Sequence, residues 1–183
     1  MKHMTMKMLE EYEVNRYTMA IIPERFDKQK FSRVIELEGE FVVTMSPQDI
    51  VERSCNYFGS SLRGRIAGTK AIMGITHKSP IVVDYTNGIY LFPTTSPRQE
   101  KCAWISHAYV EEHRSNGSHN TTVIFKNNRS FHFPVSFGSF ENQLYRTAQL
   151  RTKLTSRIEG EDIRHSRRKS FIIDYGKKRE FSK

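Results

Sequence analysis

The sequence contains few of the residues from which disulfide frameworks, metal sites and active centres are built. Two cysteines, Cys55 and Cys102, occur in 183 residues, and their separation fits neither a disulfide framework nor a zinc site. Phosphate-loop, HExxH, GxSxG and CxxC patterns are absent, and the seven histidines show no metal-ligand spacing. We therefore expect no catalytic residue, no metal and no cofactor. An enzyme that uses His77 or His107 is a distant alternative.

Long apolar runs are missing as well. No stretch approaches the length of a membrane span, and the first residues, MKHMTMKM, lack the apolar core of a secretory signal and suggest a loose terminus. We expect a cytoplasmic protein with no membrane partner. The apolar content of 37%, with 12 Phe and 8 Tyr, is nevertheless enough for a folded core. We interpret residues 1–158 as a single domain and residues 159–183 as a basic, flexible tail.

Acidic residues are absent from two long segments, although the chain carries a net charge of +9. Residues 53–83 hold five Lys or Arg side chains and residues 142–158 hold four, with no Asp or Glu in either segment. Clustered, acid-free positive charge is typical of proteins that bind a polyanion. The alternative is a solvated basic face that serves solubility, for which scattered lysines would be better suited.

Strand patterns dominate the chain outside two helical regions. Val, Ile, Phe, Tyr and Thr predict strands over 14–22 and 31–44, with Pro23 ending the first and a turn at 38–40. Further strands are predicted in IVVDYTNGIYLFP, CAWISHAYVEEH and TTVIFKNNRSFHFPVS, with turns at Asn87-Gly88 and Asn127-Asn128. The predicted fold is α+β: a mostly antiparallel sheet, as a small barrel or sandwich, with a helical insertion near 47–70.

The insertion begins with SPQDIVERSCNYFG. Ser46 is a suitable N-cap and Pro47 a suitable first helical residue. Apolar spacing places Cys55 on the buried face, and we expect Tyr57 and Phe58 to anchor the helix in the core.

A second, short helix follows the glycine that ends the first. Ser60 or Ser61 can cap it, Gly64 weakens it, and Gly68 is a candidate stop.

A long C-terminal helix is predicted near 139–158, with Ser139 as its N-cap. Arg146, Lys153 and Arg157 fall on one face of it, whereas Arg151 falls in the apolar stripe. The predicted stripe consists of Phe140, Leu144, Ala148, Leu154 and Ile158.

Nucleic acid is the polyanion that this chemistry fits best. Arginine suits phosphates and the narrow, electronegative minor groove of A·T-rich DNA. Glycines allow close approach of the backbone, and Ser60, Ser61 and a helix start offer donors to phosphate oxygens. A helix-turn-helix fits less well, because the second helix contains Gly64 and Gly68. An RNA-binding or regulatory interaction module without sequence-specific DNA binding is the alternative.

Several long motifs resemble the bacterial competence transcription factor family, ComK. They are IVERSCNYFGSSLRGRIAGT, ITHKSPIVVD, YLFPTTSPRQEKCAWISH and SFENQLYRTAQLRTKL, and the match runs from YEVNRYTMAIIP to Ile158. The resemblance implies a cytoplasmic, nucleoid-associated activator of genes for DNA uptake. It also implies recognition of paired A-rich and T-rich boxes on double-stranded DNA, mainly through the minor groove, by a homo-oligomer.

The resemblance suggests the DNA-contacting residues motif by motif. Three motifs supply the candidates: the glycine-serine segment 53–70, the THK motif 76–78 and the C-terminal helix near 139–158. Arg157 is added because it lies on the same face of that helix as Arg146 and Lys153. The predicted DNA-binding residues are Arg53, Ser60, Ser61, Arg63, Gly64, Arg65, Lys70, His77, Lys78, Arg146, Arg151, Lys153 and Arg157.

The tail contains one short apolar segment, residues 171–175, which is flanked on both sides by Lys and Arg and is called the apolar island below. The family resemblance implies delivery to the Clp protease by an adaptor that grips a C-terminal apolar motif. The predicted adaptor-binding residues are Phe171, Ile172, Ile173 and Tyr175. The island departs from the family's Phe-Met-Leu-Tyr-Pro type of motif.

Overall fold

The computed structural model describes residues 7–26 and 29–160, and for Phe26 it describes the backbone alone. The strands are β1 (Lys7–Leu9), β2 (Thr18–Phe26), β3 (Gln29–Glu36), β4 (Glu40–Val43), β5 (Ile81–Asp84), β6 (Ile89–Pro93), β7 (Trp104–Ser106), β8 (Val110–Ser115), β9 (Thr121–Phe125) and β10 (Ser130–Phe133). The α-helices are α1 (Pro47–Tyr57), α2 (Leu62–Met73) and α3 (Phe137–Ile158), and a 3₁₀ turn spans His107–Tyr109.

The strands form two sheets. Seven lie in the order β1-β4-β3-β2-β7-β6-β5, and three lie in the order β10-β9-β8. β1 pairs with β4 in parallel, whereas the other pairs are antiparallel. The predicted α+β, mostly antiparallel fold is confirmed. In the described residues neither sheet closes into a barrel, and the two sheets instead share a core, as in a sandwich.

The large sheet is covered on both faces. On one face, α1 and the start of α2 bury a cluster that includes Ile21, Val34, Ile50, Val51, Cys55, Leu62, Ile81, Val83 and Trp104. On the other face, the small sheet and the start of α3 bury a cluster that includes Met19, Ile35, Phe92, Ile105, Val123, Phe125, Phe133 and Phe140. Burial of this much apolar surface is the main force that holds the layers together.

The two basic helices meet at one margin of the large sheet. Among the described strands β5 is the last on that side, and it pairs there only with β6. A third cluster there joins Ile72 and Met73 of α2 to Leu150 and Leu154 of α3, around Val82 and Tyr90. The sheet edge is thus covered by both helices, which brings the end of α2 next to α3.

The helical insertion begins as the sequence predicts. Ser46 accepts a hydrogen bond from the backbone N–H of Asp49, and Pro47 is the first helical residue. Ser61 caps α2 by accepting from the N–H of Gly64. Gly68 does not stop α2, which continues to Met73 and ends at Gly74 in the left-handed conformation, φ 71°.

Two predictions about the first strands of the chain are wrong. Pro23 does not end β2, which continues to Phe26. Beyond Ile21, β2 pairs with β3 on one side and has no described strand on its β7 side, where a proline is tolerated. The start of the chain is not wholly a loose terminus, since Lys7–Leu9 forms β1 along the edge of β4.

The predicted turns are confirmed with one change. The β5–β6 hairpin turns through residues 85–88, four residues instead of the two-residue loop, with Gly88 at φ 65°. Asn128 turns the β9–β10 hairpin with φ 62°.

Helix α3 starts earlier and faces the core differently than predicted. Its N-cap is Ser136, and Ser139 lies inside the first turn. Its fully buried positions are Phe140, Gln143, Thr147 and Leu150. Ile158 is 53% exposed, so its assignment to the apolar stripe is wrong.

Candidate nucleic-acid interface

The predicted serine-glycine segment forms the start of α2. Besides capping α2, the Ser61 hydroxyl would lie 3.1 Å from a Cβ placed at Gly64, which leaves little room for a side chain there. Ser60 is half-buried, and its N–H donates to the carbonyl of Cys55. These three residues therefore shape a helix N-terminus, whose free N–H groups and dipole favour an anion.

The solvent face of α2 carries two cations among small residues. Arg63 and Lys70 are exposed and lie roughly 20° apart by the helical period. Gly64, Ala67 and Ala71 fill the rest of the exposed face. Arg63 and Lys70 pair with no carboxylate of the described chain. A face of this kind can approach a duplex closely while presenting two unneutralised charges to it.

Arg65 points to the interior rather than to solvent. It is half-buried, and its Nη2 donates to the carbonyl of Val83 on β5 at 3.1 Å. Its Nε has no hydrogen-bond partner among the described residues. Burial raises the pKa of the Cys55 thiol to about 11, although the charge of Arg65 lowers it, so Cys55 is a protonated core residue.

Arg53 is engaged by carboxylates from the N-terminal segment. Its Nε and Nη2 lie 2.6 Å from Glu13 Oε1 and 2.6 Å from Glu11 Oε2, respectively. The side chain is 38% exposed. Two of its three guanidinium nitrogens are engaged by carboxylates, so the structure sets Arg53 apart from Arg63 and Lys70.

The neighbouring aromatic pair is divided between core and solvent. Phe58 packs against the core from a partly buried position. Tyr57 is 70% exposed, so the prediction that it anchors α1 is wrong. The two rings contact each other edge to face, with centroids 5.1 Å apart.

The loop that follows α2 is fastened to α3. Lys78 Nζ donates to Ser139 Oγ at 3.1 Å, and Gln143 Nε2 donates to the Lys78 carbonyl at 2.8 Å. Arg146 Nη1 reaches the carbonyl of His77 at 3.4 Å. His77 is exposed, and Lys78 adopts φ 47°. The structure thereby brings together residues from two motifs that are separate in the sequence: His77 and Lys78 of the THK motif, and Arg146 of the C-terminal helix.

The remaining cations of α3 lie on two flanks. By the helical period, Lys153 and Arg157 lie within roughly 40° of each other and share the flank of Arg146. Arg151 lies on the opposite flank, toward the 3₁₀ turn. Burial lowers the pKa of His107, and the charges of Arg151 and Lys126 lower it further, which places Arg151 near that ring. Arg151 therefore does not adjoin Arg146.

Gln143 and Ser139 are functional candidates that sequence reasoning missed. The sequence contains a signal for Gln143. It lies three positions after Phe140 and seven before Leu150, and this helical spacing predicts a polar side chain on the buried face of α3. The same reasoning misassigned Ser139 as a cap.

Neither a metal centre nor a membrane span is found in the described part of the chain. No group of three or more His, Cys, Asp or Glu side chains there could hold a metal ion. None of the helices in residues 7–26 and 29–160 has the length and apolar character needed to cross a bilayer. The predicted adaptor-binding residues 171–175 lie outside the described residues.

Comparison with known proteins gives one family and one curated relative. The family model described as ComK protein matches residues 9–159. The chain is 47% identical to the competence transcription factor of Bacillus subtilis (strain 168) over 165 aligned residues. The alignment covers 90% of this chain and 84% of that protein. No solved structure matches the chain.

Proposed function

Because the chain belongs to the ComK protein family, we propose that it is a DNA-binding transcriptional activator of competence genes. The similar protein of Bacillus subtilis is named a competence transcription factor. The observation that carries the proposal is the set of cations on α2, the loop 75–79 and α3 that have no carboxylate partner in the described chain. The phosphate backbone of a nucleic acid attracts clustered cations that no carboxylate neutralises.

The first proposed contact is the solvent face of α2. Arg63 and Lys70 flank small residues there, so the helix backbone can come close to the duplex. The capped N-terminus of α2 adds free N–H groups for a phosphate oxygen. Arg63 is the candidate for entry into a narrow A·T-rich minor groove. Arg65 supports α2 from within, through its bond to Val83.

The second proposed contact is the loop 75–79 together with one flank of α3. His77, Lys78 and Arg146 are joined there by hydrogen bonds, and Lys153 and Arg157 continue the flank. Long flexible cations on a helix suit phosphate contacts, which position a protein without reading sequence. Arg53 and Arg151 stay sequence predictions, since carboxylates hold the first and the second lies on the opposite flank.

The finer features of the proposal follow from the family. They are recognition of paired A-rich and T-rich boxes, mainly through the minor groove, and cooperation between subunits. A cytoplasmic, nucleoid-associated location follows from binding to chromosomal DNA. Capture of the tail by a Clp adaptor is a separate proposal, which rests on the apolar island 171–175. Turnover of the full chain against a chain lacking residues 160–183, in cells with the adaptor, tests it.

Binding of three labelled nucleic acids tests the proposed function. A duplex with paired A- and T-runs, a G·C duplex of equal length and an RNA hairpin are titrated by fluorescence anisotropy. We expect the A·T duplex to bind tightest, and affinity to drop by about a thousandfold or more between ~50 and ~200 mM salt if six or more phosphates are contacted. Equal affinity for the two duplexes, or preference for the RNA, would contradict the proposal and favour the RNA-binding alternative.

A further inference from the structure

Gln143 is a buried polar residue at a position where the helix pattern calls for an apolar one. Its side chain is 1% exposed, and it lies between Phe140 and Leu150 on the face of α3 that packs on the sheet. A buried amide is destabilising unless its hydrogen bonds are made. Both described hydrogen bonds of the Gln143 side chain use Nε2 as donor, whereas Oε1 has no partner in the described chain.

The two acceptors of Gln143 belong to different parts of the fold. One is the carbonyl of Lys78, and the other is the carbonyl of Pro93 at the end of β6, each at 2.8 Å. Gln143 therefore ties the loop 75–79 to the large sheet as well as to α3. Ser139, one turn earlier on α3, holds the ammonium of the same lysine at 3.1 Å.

The loop needs such a restraint at Lys78. Its φ of 47° lies in the left-handed region, which is unfavourable for a residue that carries a Cβ. A non-glycine residue keeps this conformation only where its surroundings impose it. Gln143 binds the carbonyl of that very residue, so it is the contact best placed to impose it.

We propose that Gln143 is a positioning residue, which holds the His77–Lys78 step in the conformation that presents these two side chains to DNA. Gln143 is buried and does not itself touch the nucleic acid. It acts through the backbone of Lys78, and it keeps the loop in register with Arg146 on the same helix. The inference rests on the proposed function and assigns a role within that interface.

Substitution of Gln143 tests the role. Gln143→Met keeps the length of the side chain and removes both donors. We expect affinity for the A·T duplex to fall about three- to tenfold, and the magnitude of the slope of log affinity against log salt to fall by roughly one unit. Gln48→Met is the matched control, since Gln48 is exposed on α1, outside both proposed contacts, and should change neither quantity.

A double-mutant cycle separates positioning from a general loss of stability. We expect Lys78→Ala to weaken binding less in the Gln143→Met background than in the unsubstituted protein, whereas Arg63→Ala should act equally in both. Additive effects of Gln143→Met and Lys78→Ala, or an unchanged salt slope in Gln143→Met, would overturn the inference.

A measurement on the unsubstituted protein decides the case if Gln143→Met does not fold. Backbone ¹⁵N relaxation should give residues 77 and 78 order parameters as high as those of α3. Low order parameters in this loop would overturn the inference. Failure of the unsubstituted protein to bind any duplex would instead contradict the proposed function, and the relaxation result would still report whether the loop is held.

Discussion

Arg53 on α1 and Arg63 on α2 are ten residues apart in one acid-free segment, yet the fold gives them different surroundings. Arg53 is held by Glu11 and Glu13, which arrive from the N-terminal segment. Arg63 is exposed and, among the described residues, meets no carboxylate. The comparison shows that local charge density does not by itself identify a cation that is free to bind an anion. Partners from distant parts of the chain must be counted first.

The same contrast recurs between the small sheet and α3. Arg33 and Arg129 converge on Glu40, with N–O distances of 3.0 Å and 2.6 Å, and both guanidinium groups lie over the ring of Phe131. This cluster joins β3 and β4 to the turn of the β9–β10 hairpin. Cations that are paired in this way hold the two sheets together. Among the described residues, no carboxylate pairs with Arg63 and Lys70 of α2 or with Lys153 and Arg157 of α3.

The largest expected effect on stability follows from removing the charge of Glu40. Its side chain is 9% exposed and binds two arginines, so Glu40→Gln would leave both without a counter-charge. We expect a loss of about 2 kcal/mol in the free energy of unfolding, less than for a fully buried pair because Arg33 and Arg129 are about a third exposed. Urea unfolding measures the loss, and duplex affinity below the unfolding transition should stay unchanged.

The same cluster predicts a pH dependence. Burial raises the pKa of Glu40, but hydrogen bonds and charges from Arg129 and Arg33 outweigh it and hold the pKa below its usual value of 4.5. A carboxyl with a lowered folded-state pKa contributes stability above its unfolded pKa and loses it as the pH falls through the folded pKa. Unfolding of the parent and of Glu40→Gln should therefore converge below pH 4.5. A constant difference down to the acid transition would contradict this assignment.

The smallest expected effect comes from Gly68 in the middle of α2. A Cβ placed there would meet nothing within 4 Å, so Gly68→Ala should stabilise the protein by about 0.5–1 kcal/mol. Gly68 is partly buried and lies outside the exposed face of α2, so duplex binding should stay unchanged. Thermal unfolding and anisotropy on the same sample measure both quantities, and weaker duplex binding by Gly68→Ala would contradict this placement of the α2 face.

Sequence reasoning succeeds here where the determinants are local. The caps at Ser46 and Ser61 and the turn at Asn128 lie within a few residues of the structure that they specify. It fails at Gly68, where α2 continues. Leu62 before this glycine and Thr69 after it are both buried, and their tertiary packing outweighs the helix penalty of about 1 kcal/mol for a glycine. It also fails at Tyr57, whose aromatic character does not reveal which side of α1 faces solvent.

The interface shows the same limit. The acid-free segments and the α3 basic stripe can be recognised from composition and helical period. The partners of Arg53 lie 40 and 42 residues away, and Gln143 meets Lys78 across 65 residues, so no local pattern predicts either contact. The family resemblance identifies motifs but does not sort paired cations from free ones.

The salt dependence of binding to the A·T duplex tests the central comparison most directly. It is measured for the unsubstituted protein, for Arg53→Gln and for the double variant Arg63→Gln/Lys70→Gln. We expect the double variant to lose up to about two units from the magnitude of the salt slope, since each phosphate contact contributes about 0.9, and Arg53→Gln to keep the full slope. A slope reduced by Arg53→Gln and left unchanged by the α2 double variant would contradict this expectation.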